Sequence, residues 1–265
     1  MATKYTVAAQ MFGFRDFVKT PEDLLSTLKR IKKMGYDGVQ VSGCALDAAT
    51  IRAACDKAGL PAIGTHVAIP KFRENEKAVI EYCKTLGISY VAIPWLDATQ
   101  QKTLADWKKL FREFEGYAKR LAKAGLHVQY HNHDFEFQQF GVKGGKGGKA
   151  LLDMLYDGTT ALQAELDLGW VARGGCNPEN WVKKVAGRMD QVHFKDWSIW
   201  RHEDGHCGPE FRAIGEGSLD WASLIKVCKK SGVKTFIVEQ DNWIATGDPF
   251  VEYAISRKNL KALGL

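Results

Sequence analysis

The sequence predicts a single-domain (β/α)8 barrel spanning residues 1–265. Three observations carry that expectation. Short runs rich in Val and Ile alternate with longer amphipathic stretches about eight times, as a closed array of strand–helix units requires. Helix-like stretches repeatedly close on a glycine just before the next apolar run, at Gly35, Gly59, Gly87, Gly125 and Gly232. No shift in composition marks a linker, and 265 residues suit one α/β barrel.

The expected strands, in order, are Tyr5–Gln10, Gly38–Ser42, Ala62–His66, Tyr90–Pro94, His127–His131, Leu162–Asp167, Gln191–Lys195 and Thr235–Glu239. Each is short, as barrel strands are. Helix starts are signalled by Thr20 before Pro21 and Glu22, by Asn177 before Pro178 and Glu179, and by Ser218 ahead of Asp220 and Trp221. An open doubly wound sheet would place a glycine-rich phosphate loop after the first strand, and Gln10-Met11-Phe12-Gly13-Phe14 is not one. The glycine- and lysine-rich stretch Gly141–Lys149 reads as a solvated connection rather than an anion cradle.

Hydrophobic residues make up 45% and charged residues 26%, which excludes the disordered, collagen-like and disulfide-scaffold classes. Six cysteines without a Cys-x-x-Cys pair are expected to be reduced thiols. The opening residues lack the apolar run of a signal peptide, and no stretch is apolar enough for a membrane span, so a cytoplasmic protein without a membrane partner is expected. The net charge of +6 comes from lysines scattered along helices, such as Lys29, Lys32 and Lys33, rather than from a nucleic-acid groove.

In a barrel the carboxyl ends of the strands converge on one mouth. The residues expected there are His66, His131, His133, Glu136, Glu165, Asp167, His193, Lys195, Asp196, Glu239 and Asp241. Taken singly, a histidine at a strand end is more often packed than ligating. Glu, Asp, His and Glu from successive strands instead form a mixed oxygen and imidazole set suited to Mn²⁺, Co²⁺, Zn²⁺ or Mg²⁺. Glu165 shares the face of Asp167 one layer deeper, which suits a buried partner for a neighbouring charge.

Five segments in order resemble the xylose-isomerase-like TIM-barrel superfamily, and within it the sugar phosphate isomerase/epimerase branch that also holds inosose dehydratases and ketose 3-epimerases. They are Tyr130-His131-Asn132-His133-Asp134-Phe135-Glu136-Phe137, Glu165-Leu166-Asp167-Leu168-Gly169-Trp170, Val192-His193-Phe194-Lys195-Asp196, Gly215-Glu216-Gly217-Ser218-Leu219-Asp220 and Val238-Glu239-Gln240-Asp241. The resemblance implies one divalent ion, Mn²⁺ or Co²⁺ first, on Asp167, His193 and Glu239. It implies Glu136 as the fourth ligand, with His131 or His133 as the competitor, because the fifth strand carries Gln129, Tyr130 and His131 where ketose epimerases place a glutamate.

On that reading a carboxylate, Glu136 or Glu239, moves a proton next to a substrate carbonyl and an enediolate forms. His66, His131, His133 and Lys195 bind hydroxyls or the oxyanion, and Trp95 and Trp170 wall a small carbohydrate. The product is an epimer or isomer, or a dehydrated inosose-type ketone on the same scaffold. Apurinic endonucleases share this barrel, but their trinuclear zinc site wants more ligands than seven histidines and a partial series provide. A sugar-binding barrel without catalysis would be expected to lose a ligand, and mouth tryptophans leave room for a homo-oligomer.

Overall fold

The computed structural model describes residues 5–97, 101–140 and 148–265. Eight strands form one sheet: β1 (Thr6–Gln10), β2 (Gly38–Val41), β3 (Ala62–His66), β4 (Tyr90–Ile93), β5 (His127–His131), β6 (Gln163–Glu165), β7 (Gln191–Phe194) and β8 (Thr235–Val238). Their order is β6-β5-β4-β3-β2-β1-β8-β7, with every ladder parallel. Between β6 and β7 the ring closes through a parallel bridge from Asp167 to His193, with the His193 amide donating to Leu166 O at 2.8 Å. The barrel is the expected one, and its closing seam joins two residues that the sequence marks as ligands.

Helices α1 (Pro21–Lys33), α2 (Ala48–Ala58), α3 (Ile69–Leu86), α4 (Leu104–Ala122), α5 (Leu151–Asp157), α6 (Leu168–Arg173), α7 (Pro178–Lys184), α8 (Trp221–Lys230) and α9 (Pro249–Ala262) fill the connections and follow β8. Thr20 and Asn177 cap α1 and α7 as expected, their side chains accepting from Asp23 N at 3.1 Å and Asn180 N at 3.2 Å. Ser218 does not cap α8. Its amide is committed to Trp197 O at 2.9 Å, and Asp220 takes the role by accepting from Ser223 N at 3.1 Å. Gly59 and Gly87 end α2 and α3 in left-handed conformation, with φ of 63° and 74°, which a side chain at that position would disfavour.

Strand parity sorts the interior. In β5, Val128 and Tyr130 face the helices, where Tyr130 stacks on Phe114 of α4 at 5.6 Å, and Gln129 and His131 face the barrel axis. In β7, Val192 and Phe194 face outward, Phe194 against Trp221 at 4.6 Å, and Gln191 and His193 face inward. The apolar core therefore lies between strands and helices, while the axis is lined by buried polar groups.

Several strands stop one or two residues short of the expected ends, so Lys195 and Glu239 stand just beyond the pairing and Asp167 is reached only by its bridge to His193, all at the mouth. An antiparallel hairpin, Asp196–Arg201 with Cys207–Arg212, follows β7 and was not expected from the sequence. Positions 141–147 of the glycine- and lysine-rich stretch lie outside the described residues. All six cysteines are free, and no helix among the described residues is long and apolar enough to cross a membrane.

Candidate active site

The axis holds a floor and an upper layer of polar side chains. On the floor, β6 presents Glu165, which accepts from Gln40 Nε2 at 2.6 Å and from His66 Nε2 at 2.8 Å. The Gln40 carbonyl oxygen in turn accepts from Gln10 Nε2 at 2.6 Å and from His193 Nε2 at 2.8 Å. Above it, His193 Nδ1 lies 2.7 Å from Glu239 Oε2. Lys195 Nζ stands 3.1 Å from Asp241, 3.4 Å from Asp167 and 3.4 Å from Glu239. His131 spans the layers, with Nδ1 at 3.8 Å from Glu165 and Nε2 at 3.8 Å from Glu239.

Asp167 is split between two tasks. Its Oδ1 caps α6 by accepting from Trp170 N at 2.8 Å, and its buried Oδ2 has no hydrogen-bond partner and only the Lys195 ammonium, 3.4 Å away, as counter-charge. A buried carboxylate oxygen is costly unless a cation compensates it, a role that Lys195 fills from 3.4 Å and that a metal ion could take over. His131, Asp167, His193 and Glu239 bring one donor atom each to within 4.8 Å of one another, a spacing that can hold a metal ion, and a mixed oxygen and imidazole set fits a divalent transition metal.

The buried groups of this layer set one another's charges, and burial raises Asp167 to about 7 against the opposing pull of Lys195. Burial works against charge on Lys195, but Glu239, Asp167 and Asp241 outweigh it and hold the ammonium charged. His193 is likewise opposed by burial and yet raised to about 10 by Glu165 and Glu239. Burial raises Glu239 as well, but Lys195 and His193 more than offset it and keep the carboxylate ionised. Burial keeps His131 and His133 neutral, the second at about 3. Neutral imidazole is the form that ligates a metal or accepts a proton, so His131 is ready to ligate whereas His193 would release a proton on taking up an ion.

Trp170 and Phe211 of the hairpin cover Lys195, their ring centres 4.9 Å and 5.2 Å from Nζ, and His133 packs 5.2 Å from Trp170. Beside the floor, a cavity of about 470 Å³ is lined by His66, Cys44, Lys71, Asn75 and Tyr82 among others. Its size falls within the range of small-molecule pockets.

Of the residues singled out in the sequence, His131, Asp167, His193, Lys195 and Glu239 meet at the centre, His133 and Trp170 lie on its wall, and His66 joins its floor. Trp95 stands on the rim, 56% exposed. Glu136 is not brought to the centre. After His131 the chain leaves the strand, and the short 3-10 turn Phe135–Phe137 folds Glu136 back behind β5. There it accepts from the outward-facing Tyr130 hydroxyl at 2.6 Å and from His133 N at 2.9 Å, and burial raises it to about 8. His131, the competitor, occupies the fourth corner instead.

Sequence reasoning missed Gln10 and Gln40, whose signal was their inward parity in β1 and β2, and Phe211, which had none. Asp196 proves architectural. It accepts from the amides of Trp197 at 2.9 Å, Gly215 at 2.9 Å and Gly217 at 3.1 Å and from Trp221 Nε1 at 2.6 Å, pinning the Gly215–Asp220 segment. A Cβ at Gly217 would collide with that carboxylate.

Comparison with known proteins agrees with this architecture. Residues 28–249 match the family described as xylose isomerase-like TIM barrel, and the chain belongs to that family. A sugar phosphate isomerase/epimerase from Parabacteroides distasonis ATCC 8503 superposes with a TM-score of 0.82 at 22% identity, covering 98% of this chain and 95% of that one. An L-ribulose 3-epimerase gives 0.71 at 12% identity over 98% and 94% of the two chains. A xylose isomerase-like TIM barrel protein from Mycobacterium smegmatis, in complex with magnesium, gives 0.68 at 14% over 98% and 96%. A search of curated proteins returned no significant match.

Proposed function

We propose that this protein is a divalent-metal-dependent isomerase or epimerase acting on a keto sugar or related polyol ketone through an enediolate. The observation that carries the reading is the convergence of His131, Asp167, His193 and Glu239 at the carboxyl ends of the strands, with Asp167 Oδ2 free of hydrogen bonds and faced only by the Lys195 ammonium at 3.4 Å. Family membership and the sugar-isomerising neighbours support it.

These four residues would hold the ion, with Mn²⁺ or Co²⁺ suited to the donor set, and when bound it supplies Lewis-acid polarisation of a carbonyl and its neighbouring hydroxyl. Glu239, kept ionised by Lys195 and His193, removes the proton from the carbon beside the carbonyl. Lys195 donates to the oxygen on which charge develops. The neutral imidazole of His133 stands ready to exchange a proton with a substrate hydroxyl, and Trp170 and Phe211 keep water from that face. The cavity beside His66 takes the remainder of the polyol chain, offering Asn75, Lys71 and Tyr82 to its hydroxyls. Return of the proton to the opposite face gives an epimer, and return to the neighbouring carbon gives an isomer.

The test is incubation of chelator-treated protein with a panel of ketoses, their phosphates and inososes, with and without Mn²⁺ or Co²⁺, in D₂O. Metal-dependent conversion with deuterium at the carbon beside the carbonyl is expected. Conversion that ignores the metal, or none in any combination, overturns the proposal. Water loss from an inosose would move the assignment to a dehydratase.

A further inference from the structure

The floor beneath the proposed ion contains a second set of convergent donors. His66 Nε2, His193 Nε2 and His131 Nδ1 lie 2.8, 3.2 and 3.8 Å from one oxygen, Glu165 Oε1, and the four atoms are all within 4.8 Å of one another. We propose that these residues form a second cation position, which takes a borderline-soft divalent ion such as Zn²⁺ in place of, and not together with, an ion in the upper position. The proposal rests on the reading above only in that both positions draw on His131 and His193.

Geometry supports it first. Ligands at 2.0–2.1 Å around a tetrahedral zinc lie about 3.3–3.4 Å apart, so the spacings about Glu165 Oε1 need shifts of only about 0.5 Å. Three imidazoles with one carboxylate is also a zinc-like set, whereas the upper position, with two carboxylates and two imidazoles, suits harder ions. A second observation is independent of spacing. His131 Nδ1 is buried, points into this group and has no hydrogen-bond partner.

The support around the ligands is in place. Gln40 Nε2 holds the other oxygen of Glu165 at 2.6 Å, fixing the carboxylate with Oε1 toward the imidazoles. His66 lines the cavity of about 470 Å³, which gives an ion an entry path. To ligate here, His193 Nε2 gives up its hydrogen bond to Gln40 Oε1.

Exclusivity follows from the rings. His131 offers Nδ1 downward and Nε2 upward, and His193 offers Nε2 downward and Nδ1 upward. Filling both positions would require each ring to become an imidazolate, with neither nitrogen protonated, and to bridge two ions. One ion per chain is therefore expected, its location set by the metal.

Crystals soaked separately in Zn²⁺ and Mn²⁺, with anomalous scattering recorded at each metal edge, locate the ions directly. Zinc is expected among His66, His131, Glu165 and His193, and manganese among His131, Asp167, His193 and Glu239. Zinc found on Asp167 and Glu239 instead overturns the proposal. In solution, Asp167→Asn is expected to lose Mn²⁺ binding yet still bind one Zn²⁺, and His66→Ala to lose Zn²⁺ affinity by more than about 100-fold while retaining Mn²⁺. Glu165→Gln provides a second, nearly isosteric lesion should His66→Ala fail to fold. Zn²⁺ affinity unchanged in both floor variants overturns the proposal without touching the upper site, while loss of Mn²⁺ binding in wild type would count against the functional reading alone.

Discussion

Glu115, in α4, fastens the approach to β6, and replacing it should lower stability by an amount that depends on pH. Its carboxylate accepts from the amides of Thr160 at 3.1 Å, Ala161 at 3.0 Å and Leu162 at 3.1 Å and from the Thr160 hydroxyl at 2.9 Å, with Lys119 Nζ at 3.1 Å. Burial raises this carboxyl, but the Leu162 amide, Lys119, Thr160 and the Ala161 amide outweigh it and bring it to about 2, against an ordinary 4.5. Because the folded value is depressed, the stability it contributes is fully present above about pH 5 and is lost as pH falls through about 2. The shift corresponds to about 3 kcal/mol at pH 7 and about 1 kcal/mol at pH 3, at 1.36 kcal/mol per unit. Glu115→Gln keeps the shape but turns an amide NH₂ toward backbone donors, so it should lose most of that amount. Urea denaturation of wild type and variant at both pH values measures the gap. A gap that does not shrink between pH 7 and pH 3 refutes the assignment, since a purely steric lesion would be indifferent to protonation. The segment so fastened leads into Glu165 and Asp167, so the variant should also bind metal more weakly.

Asp167→Asn and His193→Ala should each abolish Mn²⁺ and Co²⁺ binding while circular dichroism still reports a folded barrel; calorimetric titration checks the first and melting the second. Wild type at about 100 times its Kd for the ion should gain about 2.7 kcal/mol, a rise of a few degrees in Tm that EDTA reverses. Glu239→Gln should reduce turnover by about 10²- to 10⁴-fold and suppress deuterium exchange in parallel. Glu136→Gln should leave metal stoichiometry at wild-type level. Since burial raises Glu136 to about 8, the wild type loses stability as pH rises from about 4.5 through 8, and the variant should be the more stable of the two near pH 9. Loss of the ion in Glu136→Gln would restore that residue as a ligand.

The barrel was legible because each strand–helix unit punctuates itself. A glycine closes the helix, a short β-branched run follows, and a polar residue stands just past it. Asp167, His193, Lys195 and Glu239 were legible for the same reason, since a residue at a strand's carboxyl end can point only toward the mouth or behind it, and parity within the strand says which. Glu136 was misplaced because parity ends where the strand does. Five residues past His131, its direction is set by the 3-10 turn and by the Tyr130 hydroxyl, neither of which the sequence spacing reveals. The hairpin after β7 was hidden because Pro209 stands inside its second strand and neither strand carries a β-branched run. The Gly215–Asp220 motif is architectural, Gly217 being required by the close approach of Asp196 and Gly215 by its positive φ of 87°.

Lys195 and a divalent ion compete for the same oxygens, and this gives the lysine two effects of opposite sign. Its ammonium, buried within 3.4 Å of Asp167, Glu239 and Asp241, compensates carboxylates that otherwise repel one another. An ion on Asp167 and Glu239 would sit close to that ammonium, and two unit charges about 4 Å apart interact by about 4 kcal/mol at an effective dielectric constant of 20. Lys195→Met keeps the aliphatic stem against Trp170 and Phe211 but removes the repulsion, so it should bind Mn²⁺ about 10- to 100-fold more tightly once part of that energy is lost to relaxation. The metal-free variant should melt earlier than wild type, because the buried Asp167 and Glu239 and the half-buried Asp241 lose their cation, and metal should restore most of the difference. Turnover should nonetheless fall, since the donor to the developing oxyanion is gone. Tighter metal with slower turnover separates an electrostatic and catalytic lysine from one that merely organises the ligands, for which both quantities would fall together.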